Sequence, residues 1–178
     1  ALVNTHETLT NARSTYEKLV ADRAAADAVI EKINAIGEVT LESGAAIEAA
    51  ETAYNELTDD QKLLVNNYEI LTNARTVYDK LTADKAAVDS VIALIDAIGT
   101  PDINSLDAIT KAQEEYDKLS DELKERVTNK EALDNAKNIY AEQKQAVDQV
   151  IEMINKLEEP VTIDSKAAIE AAEAAYHA

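Results

Sequence analysis

The chain of 178 residues contains no cysteine, tryptophan or phenylalanine, and holds 3 glycines and 2 prolines. Without cysteine there is neither a disulfide framework nor a thiolate metal site, and the redox compartment is left open. So little glycine and proline removes the usual punctuation of hairpins and sheets. Without Phe or Trp, a core must be assembled from Ile, Leu, Val, Ala and the 7 tyrosines, which suits several narrow bundles in series better than one broad core. Positive charge is also scarce. Lys and Arg number 17 against 35 Asp and Glu, for a formal net charge of -18, which argues against binding nucleic acid or an anionic membrane through charge. No long apolar run is present, so membrane insertion of this segment is not expected.

What is abundant is the helix-forming set of Ala, Leu, Ile, Glu, Asp and Lys, and an all-α chain is predicted. Self-similarity organises it. Thr10-Asn11-Ala12-Arg13-Ser14-Thr15-Tyr16 returns as Thr72-Asn73-Ala74-Arg75-Thr76-Val77-Tyr78 and again as Asn135-Ala136-Lys137-Asn138-Ile139-Tyr140, each time 62 residues on. Tyr54 and Tyr116 keep the same interval, and Ser165 to Tyr176 opens a third copy of the segments that begin at Ser43 and Ser105. The chain thus supplies its own internal alignment.

Within one copy an A helix carries Val29, Ile30, Ile33 and Ile36, or Val91, Ile92, Ile95 and Ile98. Gly37 and Gly99 are placed to end it in the left-handed conformation, with Pro101 and Pro160 marking extended linkers. A B helix is expected after Ser43, Ser105 and Ser165, with the stripe Ile47, Ala50, Tyr54, Leu57 or Ile109, Ala112, Tyr116, Leu119 on one face. Thr58 and Ser120 are hydroxyl caps ahead of short helices running to Val65 and Val127. Asn4 with Glu7, Asn66 with Glu69, and Thr128 with Glu131 have the spacing of a capping box, where a C helix would start. Its inward stripe is Leu71, Ala74, Tyr78 and Leu81. No glycine or proline interrupts 66–98, and the heptad Ala74, Tyr78, Leu81, Lys85, Val88, Ile92, Ile95 is unbroken. The C helix is therefore expected to run into the next A helix, about 32 residues and roughly 48 Å in all.

The predicted architecture is all-α: elongated tandem three-helix bundles joined by long shared helices. Residues 1–24 would be the C helix of a preceding repeat, 25–84 and 85–143 complete bundles, and 144–178 the A/B pair of an incomplete one. Both termini fall at the same phase of the repeat, as two cuts through one loop of a longer array would leave them. Each end would then expose an apolar stripe, and end-to-end self-association through these unfinished bundles follows as an expectation.

Chemistry has few candidates. Lys85 and its equivalent Arg23 interrupt the apolar stripe and could be read as anion ligands; the plainer reading is that their stems cover a junction while their charges reach water or a carboxylate. His6 and His177 do not recur, which fits surface residues rather than a triad or metal site. The acidic pairs Asp59/Asp60 and Asp121/Glu122 suit helix capping better than a calcium loop or a glycosidase acid and base. Tyr16, Tyr54, Tyr78, Tyr116, Tyr140 and Tyr176 sit on apolar faces and are assigned to cores with their hydroxyls at the rim, rather than to a sugar-binding platform; Tyr68 is expected to be exposed. No nucleotide, zinc-protease, hydrolase or CxxC signature occurs. No catalytic, cofactor-binding or metal residue is assigned, no cofactor is expected, and the chain is read as not an enzyme.

The unit Ala-Ile-x-x-Ala-x-x-x-Tyr, Leu-[Thr/Ser]-Asp-[Asp/Glu]-x-Lys, Val-x-Asn, carried by Ala46 to Asn67 and Ala108 to Asn129, resembles helical repeats of large Gram-positive cell-wall and S-layer proteins. The connected-bundle plan is similar to spectrin repeats and to giant staphylococcal surface rods. The resemblance implies an extracellular location on a bacterial surface and a structural spacer or stalk that holds another domain away from the cell. The competing expectation is a helical binding module for a host or cell-wall partner, whose mark would be a solvent-facing apolar patch recurring in every copy.

Overall fold

A computed structural model describes residues 2–157 and 161–177. The chain is all-α and 79% helical, built of long helices packed against each other; no strand occurs among the described residues. The helices are α1 (Leu2–Asn34), α2 (Gly44–Asn55), α3 (Asp59–Lys62), α4 (Tyr68–Asp96), α5 (Leu106–Lys118), α6 (Asp121–Lys124), α7 (Lys130–Asn155) and α8 (Lys166–Tyr176). Two compact units, Ala1–Lys85 and Ala86–Ala178, divide within α4.

In the first unit, Ala26, Val29, Ile33 and Ile36 of α1, Ile47 and Ala50 of α2, and Leu71 and Ala74 of α4 form a closed core with Leu57 and Val65. The second unit buries Val88, Val91 and Ile95 of α4, Ile109 and Ala112 of α5, and Leu133 and Ala136 of α7, with Leu119 and Val127. Apart from Ile36, whose counterpart Ile98 is half-buried, every one of these positions has its partner 62 residues on. Small residues at Ala50 and Ala112, each fully buried, let three helices converge on one axis.

The helix ends follow local chemistry. Gly37 and Gly99 have φ of 63° and 64°, the left-handed stop that a Cβ would strain. Ser43, Ser105 and Ser165 precede α2, α5 and α8 as anticipated, but their hydroxyls turn backwards, accepting from the backbone N–H groups of Thr40, Asp102 and Thr162. They brace the entering turn rather than the helix that follows.

Several expectations are corrected. Asn4 lies inside α1, which runs unbroken from Leu2. α7 starts at Lys130 with Asn129 as its N-cap residue, and α4 starts at Tyr68, so Thr128 and Asn66 do not open helices. The reason is that Asn67 and Asn129 are drawn to another helix, as described below. α3 and α6 stop at Lys62 and Lys124; the chain reaches Val65 and Val127 through tight i to i+3 turns that swing each valine into its core. Tyr16 and Tyr176 are 66% and 71% exposed, not core residues, because that part of α1 is exposed all round and Tyr176 has only α7 beside it, across an open cleft. Pro160 falls outside the described residues.

Candidate functional site

In each unit an asparagine in the turn after the short helix reaches the first helix of the bundle. In the first unit, the Asn67 amide donates to the Ile30 carbonyl at 3.1 Å and to Asn34 Oδ1 at 2.9 Å. In the second, Asn129 donates to the Ile92 carbonyl at 2.9 Å and to Asp96 Oδ1 at 2.8 Å. A carboxylate only accepts, so the NH2 of Asn129 must face Asp96 and its Oδ1 must point away. Both amide oxygens are buried and make no hydrogen bond within the protein. This clamp ties the start of the third helix to the last turns of the first, and it consumes the asparagine of the Val-x-Asn motif.

The lysine of the same motif is spent similarly. Lys62 and Lys124 stand over the rings of Tyr54 and Tyr116 at 5.7 and 5.8 Å, pinning each short helix onto the preceding one through cation–π attraction. Thr58 and Ser120 accept from the backbone N–H groups of Gln61 and Leu123. The acidic pairs Asp59/Asp60 and Asp121/Glu122 fill the first turns of α3 and α6, where the helix dipole favours them.

Around this shared frame the units differ. In the first, Arg75 makes a two-pronged contact with Glu51, Nε to Oε1 at 2.8 Å and Nη2 to Oε2 at 2.5 Å. Hydrogen bonding to the guanidinium holds the Glu51 carboxyl below its ordinary range, and the arginine is shifted upwards in turn. Tyr54 and Tyr68 stack with centroids 4.0 Å apart. These four side chains, with Asn55 and Leu71, line an open cleft of about 320 Å³. In the second unit the same register holds Gln113 bonded to Lys137 at 2.8 Å, and Lys130 over Tyr116 at 5.1 Å. Asp22, buried at 8% exposure, accepts from Lys18 and from the Gln61 amide; the Lys18 hydrogen bond, then that of Gln61, lowers its pKa.

Of the residues singled out by sequence, Tyr68 is exposed, though packed on Tyr54. Tyr54, Tyr78, Tyr116 and Tyr140 are half-buried against their cores. Arg23 pairs with Asp27 at 2.9 Å on the surface, and Lys85 is exposed. His6 is exposed on α1, and His177 lies edge-on to Tyr176 at 5.3 Å. Among the described residues, no group of three or more His, Asp or Glu is placed to hold a metal. No helix among them is long and apolar enough to cross a membrane. Sequence reasoning missed the roles of Asn67, Asn129, Lys62 and Lys124, although their recurrence inside the motif was a usable signal. It also missed the Arg75–Glu51 pair, for which spacing alone gives no sign. Comparison with protein-family models, with curated proteins and with solved structures returned no match.

Proposed function

We propose that the chain is a non-catalytic spacer: tandem three-helix bundles that share long helices into an elongated stalk of a bacterial surface protein, holding another domain away from the cell. One observation carries this reading. The side chains that recur between the units, from Ile47 to Asn67 and from Ile109 to Asn129, are spent on closing the bundles: buried in the cores, capping a helix, clamping a carbonyl or covering a ring. The exposed side chains that could meet a ligand drift instead. Leu63, 85% exposed, corresponds to Glu125, and Tyr68 to Lys130. A binding module copied in each unit would carry a solvent-facing apolar patch that recurs between them; at these exposed positions the two units differ. The bacterial-surface setting follows from the sequence resemblance alone.

In this reading each repeat adds a fixed length, and α4, 29 residues and about 44 Å long at 1.5 Å per residue, serves two bundles. Small-angle X-ray scattering on the chain, as a dilution series extrapolated to zero concentration, tests it. An elongated particle with a maximum dimension on the order of 100 Å is expected, shortened by a bend in Lys85→Pro. A compact particle, or a curve unchanged by Lys85→Pro, would rule the stalk out.

A further inference from the structure

Two apolar surfaces stand uncovered, and each is the mate that the other's register calls for. The first is the leading half of α1. Every residue from Thr5 to Ala21 is exposed, including Leu9, Tyr16 and Leu19 at 68%, 66% and 61%. Yet Leu9-Thr10-Asn11-Ala12-Arg13 is identical to Leu71-Thr72-Asn73-Ala74-Arg75, whose leucine and alanine are 1% and 4% exposed in the first core. The second is the cleft of about 580 Å³ between the trailing half of α7 and α8, lined by Val147, Val150, Ile151, Ile154, Ala175 and Tyr176. Val150 and Ile154 stand at the register of Val29 and Ile33, and α8 repeats α2 almost residue for residue, Ala45 to Glu51 being identical to Ala167 to Glu173.

We infer that the α7/α8 cleft of one molecule takes the leading half of α1 from a second copy of this chain, as the α1/α2 cleft takes the leading half of α4. Charge supports the occupant as well as shape. Arg75 is locked onto Glu51 in the first unit; Arg13 and Glu173 occupy the same two register positions, and both are exposed. Docking in that register brings Arg13 of one copy onto Glu173 of the other, with Leu9 and Ala12 seated where Leu71 and Ala74 sit. At the position of Gly44 the cleft carries Lys166. A Cβ at Gly44 would come within 2.5 Å of the Tyr78 hydroxyl, but the second unit already seats Tyr140 beside Leu106 at this register, so Tyr16 has a precedent for its place. The contact joins unlike surfaces, so it propagates or closes into a ring according to the rotation it imposes. It does not depend on the spacer reading.

The test is sedimentation velocity over a concentration series on the full chain and two surface variants, Arg13→Glu and Glu173→Arg, with circular dichroism confirming unchanged helicity. Wild type should associate as concentration rises. Each variant alone, facing like charge against like, should associate about tenfold more weakly or worse. An equimolar mixture of the two should recover wild-type association, because both of its mixed contacts again oppose unlike charges. Leu9→Asp should abolish association throughout. A wild-type chain that stays monomeric up to millimolar concentration would overturn the inference, as would association indifferent to the charge reversals or a mixture that fails to recover.

Discussion

The two units close the same bundle with different supports at matching registers. At one register the first has Gln61, whose amide oxygen accepts from the Thr58 N–H and whose amide nitrogen donates to Asp22; the second has Leu123, packed on its core. At another the first has the Arg75–Glu51 ion pair, and the second the Lys137–Gln113 hydrogen bond. At a third, Ala26 of the first core becomes Val88 in the second. The apolar frame and the asparagine clamp are largely kept while these other polar supports change, so the frame specifies the fold and the variable supports set how it responds to pH and to substitution.

The largest test of this division strikes the shared frame. Leu71→Ala and Leu133→Ala, at 1% and 0% exposure, should each cost about 2–5 kcal/mol through lost burial and a residual cavity. Because every core position but that of Ile36 recurs in the second unit, hydrogen exchange should show nearly equal losses, each centred in its own unit. Losses that differ by more than about 1 kcal/mol would break the equivalence.

Next come the clamps. Asn129→Asp places a carboxylate against the Asp96 carboxylate and the Ile92 carbonyl, where Asn67→Asp meets a neutral Asn34 and the Ile30 carbonyl. The first should cost about 3 kcal/mol and the second about 2 kcal/mol, as an acceptor replaces a donor in a half-buried site. The new aspartates have raised pKa values in the folded state, so both defects should ease as pH falls and protonation restores a donor. Denaturant titrations of the two variants at pH 7 and pH 5 give the order and the direction.

Glu51→Gln copies the second unit's Gln113 into the first. The expected loss at pH 7 is about 1 kcal/mol, for a partly exposed two-pronged pair. A depressed folded pKa stabilises above the unfolded value and loses that contribution as pH falls through the folded one, so acid below about pH 4 should weaken wild type more than this variant. Amide exchange in α2 compared with α5, followed from pH 5 to pH 3, reads the difference: the second unit has no carboxylate at this position to lose.

Much of the frame was legible from the chain alone, because heptad spacing, glycine stops and the 62-residue interval are local signals. The αL glycines and the starts of α2, α5 and α8 were all placed from such signals. What escaped was whatever another helix decides. Asn66 and Thr128 look like caps by spacing, but the neighbouring Asn67 and Asn129 find carbonyls on a helix 37 residues back, and that attraction resets the boundary. Leu9 and Leu71 share one local sequence and differ completely in exposure, since burial belongs to the neighbours a residue meets. The candidate self-docking surface was legible as two unfinished stripes; its ionic component, Arg13 with Glu173, emerged only once Arg75 was seen to grip Glu51.

The finest difference is the single position where the first unit holds Gln61 and the second Leu123. Gln61→Leu removes the back-bond of a capping box and one of the two donors to Asp22, yet it adds an apolar side chain of the kind the second unit packs at this register. These terms oppose one another, and the net loss at pH 7 should stay within about 1 kcal/mol. The electrostatic consequence is sharper. With the Gln61 amide gone, Lys18 alone holds down the Asp22 carboxyl, so its titration midpoint should rise towards the ordinary aspartate value while the fold persists. Carbon-detected NMR of the Asp22 carboxyl in wild type and Gln61→Leu gives that midpoint directly. An unchanged midpoint would mean that the lysine accounts for the whole shift and that the amide serves only to cap α3, leaving the two units alike in their treatment of this aspartate.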